Sequence, residues 1–166
     1  MRFGTSSWQA KEGAQTVRKK WKLVALGALG LLVAIQLVPV RRDNPSVTAD
    51  LNAPEAVKSI ITASCYDCHS NQTRWPFYSY VAPVSWLIAS DVHGARKLMN
   101  LSQWGEYPES AQEFLKTQVY KQVSAGDMPP WDYLVLHPKA RVSSSALHTL
   151  KEWGGAQAAA EAGHKP

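Results

Sequence analysis

The chain is short of cysteine, with only two thiols among its 166 residues. So few exclude a fold stapled by several disulfides and make the position of the pair informative. Also missing are internal repeats and any convincing strand-type alternation of apolar and polar residues. A basic surplus is missing from most of the chain too. The formal net charge is +5, but eight of the 18 Lys/Arg lie in residues 1–42 beside one acidic residue, Glu12. Residues 43–166 carry ten Lys/Arg against twelve Asp/Glu. That leaves no basic stripe for phosphates, so a nucleic-acid partner is not expected.

What is present begins with an apolar run. Leu23 to Val40 contains a single polar side chain, Gln36, and is bracketed by Arg18, Lys19, Lys20 and Lys22 before it and Arg41 and Arg42 after it. As a helix the run would rise about 27 Å, enough for the hydrocarbon core of a bilayer, with Trp21 as an interfacial anchor. A cleaved signal peptide is the rival, but no small-x-small site follows the run. The excess of cations before it places Met1 in the cytoplasm and the rest outside the membrane. The expected organisation is a basic leader (1–22), a transmembrane anchor (23–40), a tether (41–47), a folded domain (48–155) and a disordered tail (156–166).

Within the domain the periodicity is helical. Asn52 and Pro54 can open a helix with Val57, Ile60 and Ile61 on one face. Pro83 can open a second, with Val84, Leu87, Ile88 and Val92 on one face. A third is expected from about Pro108 to Ala125, stopped by Gly126. Ser143 or Ser144 can cap a fourth, carrying Leu147, Leu150 and Trp153. The expected fold class is all-α, with long connections at about 70–80 and 127–142.

The two cysteines stand in "CYDCH", as Cys65 and Cys68 followed by His69. C-x-x-C-H is the arrangement that attaches c-type haem. Two thiols one turn apart can add to the two vinyl groups of one porphyrin, and the next imidazole then lies beneath the iron as proximal ligand. A disulfide or thioredoxin-like pair is the plainer reading, but the latter belongs on a βαβ framework that this chain does not offer. Structural zinc would need two more ligands at finger spacing. For the sixth iron position the candidates are Met99, Met128, His93, His137 and His148. Met128 stands in "GDMPPW", just past a helix end and stiffened by two prolines. Met99 and His148 fall at helical positions that suit ordinary packing or exposure.

Three stretches, "CYDCHSN", "WPFYSYVAPVSWLIASDVHGARKLMNLSQW" and "GDMPPWDYLVLHPKARVSSSALHTLKEW", together resemble the small membrane-anchored haem-binding domain family related to class I c-type cytochromes. The likeness runs from about Gln36 to Trp153. It implies a cytochrome-c-like helical domain behind an N-terminal transmembrane helix, one covalent haem c through Cys65 and Cys68, His69 as proximal iron ligand and Met128 as distal ligand. Trp75, Phe77, Tyr78, Tyr80, Trp86, Trp104, Trp131, Tyr133 and Trp153 are expected as apolar walls around the haem, and Arg74 and Arg96 as candidate partners of its propionates. His/Met ligation saturates the iron, so the expected role is one-electron transfer to and from redox partner proteins, with no small-molecule substrate. A ligand sensor or a peroxidase-like enzyme with an open distal side is the alternative.

Overall fold

The computed structural model describes residues 6–154, with side chains from Val17 onward. The tail expected at 156–166 lies outside the described residues. Among those described, the chain is all-helical: α1 (Ser6–Ile35), α2 (Glu55–Ser64), α3 (Tyr66–His69), α4 (Val84–Leu98), α5 (Glu109–Ala125), α6 (Trp131–Leu136) and α7 (Ser144–Gly154), with 3-10 turns at Phe77–Tyr80, Leu101–Glu106 and Pro138–Ala140.

The apolar run does not stay helical to Val40. α1 stops at Ile35, so its apolar part, Leu23–Ile35, rises only about 20 Å, against about 30 Å of bilayer hydrocarbon. Among the described residues no helix is long and apolar enough to cross a membrane. The cause lies at Gln36, the one polar side chain in the run. Its amide pairs with the backbone of Ala82, accepting from Ala82 N at 2.9 Å and donating to Ala82 O at 3.2 Å. The backbone N–H groups of Gln36, Leu37 and Val38 tighten onto carbonyls three residues back, and Pro39 has no N–H with which to continue a helix. The expected 18-residue transmembrane helix is therefore replaced by a shorter apolar helix clasped to the domain.

The segment expected as a tether lies along the domain instead. Arg42 donates to Ser79 O and covers the Tyr80 ring at 4.3 Å, Asn44 donates to Thr73 O, and Asp43 meets His93 at 3.2 Å. Arg96 gathers this segment with the turn after His69, donating to Ser70 O, Asp43 O, Asn44 Oδ1 and Thr73 Oγ1.

The four expected domain helices are present. α2 starts after Pro54 without the side-chain cap expected from Asn52. α5 ends where Gly126 takes a left-handed φ of 82°, a conformation glycine adopts without a Cβ penalty. Ser143 caps α7 by accepting from Ala146 N. The core joins Leu51, Val57, Ile61, Tyr66, Met99, Leu101, Trp104, Val119 and Leu150. α5 and α7 come so close that a Cβ on Gly154 would overlap the Lys116 carbonyl, and Thr117 Oγ1 donates to Gly154 O there.

Candidate haem site

Cys65 sits at the joint between α2 and α3. Its N–H still bonds Ile61 O, while its φ and ψ of −124° and −31° leave the α2 path and start the short turn of α3. The N–H groups of Cys68 and His69 both bond back to Cys65 O, at 3.2 and 2.9 Å. One helical turn therefore carries both sulfurs and the imidazole. Ile61 and Tyr66 on either side of the joint are buried, and Tyr66 donates its hydroxyl to Asp50, so the turn is bolted to the core. Beyond it, the buried Ser70 donates to Tyr66 O at 2.7 Å, and Asn71, Asn100 and Ser102 form a buried polar network in which Asn71 N donates to Ser102 Oγ and Asn100 Nδ2 to Asn71 Oδ1, each at 2.9 Å. These bonds account for the serine and asparagine that follow the histidine in "CHSN".

The sulfurs are free thiols, not joined to each other. Burial, then the neighbouring Cys68, pushes the Cys65 thiol up to about 12. Burial, followed by the charges of Asp67 and Asp91, pushes Cys68 up to about 11. Burial lowers the His69 pKa, partly offset by bonds to the carbonyls of Met99 and Ala95, so the ring is neutral near pH 7. Nδ1 lies 3.2 Å from Met99 O. A neutral ring beside a carbonyl places its proton on Nδ1 and leaves Nε2 with a lone pair, and Nε2 has no hydrogen bond among the described residues. Met99 thus does more than pack: it is buried, and its carbonyl at the C-terminal end of α4 orients the histidine.

The other candidates separate clearly. Met128 follows α5, its N–H bonded to Gln122 O, with 39% of the residue exposed. No hydrogen bond joins it directly to Cys65, Cys68 or His69. His137 has both ring nitrogens engaged, Nδ1 with Tyr133 O at 3.1 Å and Nε2 with Tyr78 Oη at 3.3 Å, and its ring stacks on Tyr133. His93 faces Asp43, and His148 lies exposed beside Glu152 on α7. Arg74 is paired with Asp67 through Nε and Nη2, each at 3.0 Å, and Arg96 is spent on the backbone ties above, so both expected propionate partners are already engaged. Trp104 and Trp153 pack on each other in the core, while Phe77, Tyr80 and Trp131 are exposed.

Asp67, between the two cysteines, was not singled out in the sequence. Its carboxylate accepts from Arg74 and also from the Tyr133 hydroxyl at 2.8 Å. Burial acts to raise its pKa, but the bonds from Arg74 and Tyr133 outweigh that and hold it below the usual carboxylate range.

A haem fits what the chain presents: protonated thiols, a neutral imidazole with one free nitrogen, and apolar side chains left exposed on the 3-10 turn at Phe77–Tyr80, on α4 and on α6. Trp75, next to Arg74, has a buried indole N–H without an acceptor among the described residues.

The fold and the motif define a helical haem-binding class, and the comparison with known families agrees. Residues 30–156 match the family described as "Haem-binding domain", and the chain belongs to that family. No curated protein and no solved structure matches the chain.

Proposed function

We propose that this protein is a membrane-tethered c-type cytochrome that carries single electrons outside the cytoplasmic membrane. The observation that carries this reading is one turn of helix presenting Cys65, Cys68 and a neutral His69 whose Nδ1 is held by Met99 O. Cys65 and Cys68 form the thioethers to haem c, His69 Nε2 is the proximal donor and Met128 the distal one. The bound iron supplies a one-electron ferric/ferrous couple, raised by a thioether ligand relative to a second imidazole. The chain's own contribution is to fix the imidazole tautomer and to close an apolar shell around the group. Met128 is favoured over His137 because both nitrogens of His137 are already bonded.

The tether is α1. Its side chains from Leu23 to Val33 are exposed on every side of the helix, beside Trp21 and the cations Arg18, Lys19, Lys20 and Lys22, a composition suited to lipid and anionic headgroups. α1 alone is too short to cross, so the crossing is completed by the exposed apolar residues Leu37 and Val38 past its end and by the long cationic side chains before it, with the leader in the cytoplasm and the haem domain on the outer face.

A spectrum in alkaline pyridine, before and after reduction, tests the centre of this proposal: haem that resists acid-acetone extraction and gives the signature of two saturated thioether links is expected, and extractable haem would overturn it. Carbon monoxide added to the reduced protein separates carrier from sensor or peroxidase-like enzyme, because immediate, complete binding means an open distal side. Carbonate-washed membranes should retain the full chain, and a reporter active only outside the cytoplasm should work when fused after Trp153.

A further inference from the structure

α6 is a six-residue helix without a buried side chain, and Trp131 at its start is 79% exposed. Apart from Pro129, buried in the loop before it, hydrophobic packing therefore does little to hold it. Its place is set by hydrogen bonds to the haem-attachment segment. Tyr133 donates to Asp67 Oδ2 at 2.8 Å, and Asp67 is itself clamped by Arg74 and only 12% exposed at its side chain. One turn later His137 stacks on the Tyr133 ring at 4.1 Å. With Nδ1 donating to Tyr133 O, its Nε2 accepts the Tyr78 hydroxyl. The loop before α6 has little freedom of its own: Met128 N is bonded to Gln122 O at the end of α5, and Pro129 and Pro130 have restricted φ angles up to the first residue of α6.

The geometry points to Asp67 and Tyr133 as a latch that positions the distal ligand. The carboxylate between the two haem-attaching cysteines grips the helix that follows Met128, so one hydrogen bond links the attachment side to the distal side. Asp67 and Tyr133 are positioning residues and do not touch the iron. This inference rests on the assignment of Met128 proposed above.

The test uses the full-length, haem-loaded protein. Tyr133→Phe removes the donor and keeps the ring stacked on His137. A hydrogen bond to a charged acceptor contributes enough that its loss should raise the open, methionine-off population, and hence the observed rate of carbon monoxide binding to the reduced protein, about tenfold or more. The sulfur-to-iron charge-transfer band of the ferric protein should fade at a lower temperature than in the wild type, while the pyridine spectrum stays the same. Amide exchange across residues 128–137 should quicken. Tyr78→Phe, which frees the far end of α6, should shift the same readouts by a smaller factor. Thr117→Val, which breaks the bond to Gly154 O between α5 and α7, should cost stability and leave carbon monoxide kinetics unchanged. Wild-type kinetics and exchange in Tyr133→Phe, with the charge-transfer band intact, would overturn the latch and leave the ligand assignment standing. A wild-type protein that has covalent haem but lacks the band would remove both, and that failure is recognised before any variant is made.

Discussion

The two sides of the proposed haem site are built by different means. On the attachment side, Cys65, Cys68 and His69 share one backbone-bonded turn, flanked by buried Ile61 and Tyr66 and backed by the Asn71–Asn100–Ser102 network. On the other side, Met128 and α6 carry no buried side chain, and with only Pro129 buried between them they are held by bonds through Tyr133 and His137. A donor fixed by the core stays in place for as long as the domain is folded. One held by a few side-chain bonds can leave while the fold persists, because local opening takes less free energy than global unfolding. The division predicts a permanent proximal ligand and an exchangeable distal one.

The sharpest way to break this comparison is at the attachment turn. Cys65→Ala with Cys68→Ala should abolish covalent haem, seen as complete loss of haem staining on a denaturing gel, and should leave the domain poorly folded by circular dichroism. Next in size is the core behind that turn. Trp104 is 1% exposed and meets Tyr107 edge-on and Trp153 at a tilt, so Trp104→Ala should cost about 3–5 kcal/mol in denaturant unfolding, with early loss of the low-spin spectrum. Met128→Ala should do the reverse: it should convert the ferric iron toward high spin, lower the potential and admit carbon monoxide, at under about 1 kcal/mol of unfolding free energy, since a partly exposed side chain leaves little cavity. If Met128→Ala is spectrally silent and His137→Ala gives the high-spin form, ligation is by two histidines.

The smallest effect is expected at the chain's approach to the domain. The bond from His93 lowers the pKa of Asp43, so this contact stabilises the fold above the unfolded carboxyl value near about 4 and is lost as pH falls through the lowered one. Both partners are well exposed, which limits the gain to under about 1 kcal/mol after screening. Asp43→Asn should therefore be slightly less stable than the wild type at neutral pH and match it once the pH has fallen below the lowered carboxyl value. A difference that persists into acid would mean the aspartate acts by another route.

Much of the fold was legible because α2, α4, α5 and α7 repeat apolar residues over several turns, and CYDCH stood out because covalent haem attachment would need that spacing. What escaped reading has physical reasons. α6 is too short for periodicity to register, although Pro130 before it and Asp132 in its first turn are start signals. The carbonyl that orients His69 belongs to Met99, and every residue has a carbonyl, so no side-chain pattern could mark it. Asp67 and Tyr133 are 66 residues apart and meet only in the fold. The early end of α1 turned on a partner for Gln36 that lies 46 residues away.

That last contact has a mechanical meaning. The Gln36–Ala82 clasp welds the end of α1 to the start of the segment leading into α4, and α4 runs as a stiff rod of about 22 Å to Met99, whose carbonyl steers the His69 ring. Rod and clasp form a lever with its handle at α1. With His69 as the proposed iron ligand, a tilt applied to α1 would be delivered as torque at its imidazole.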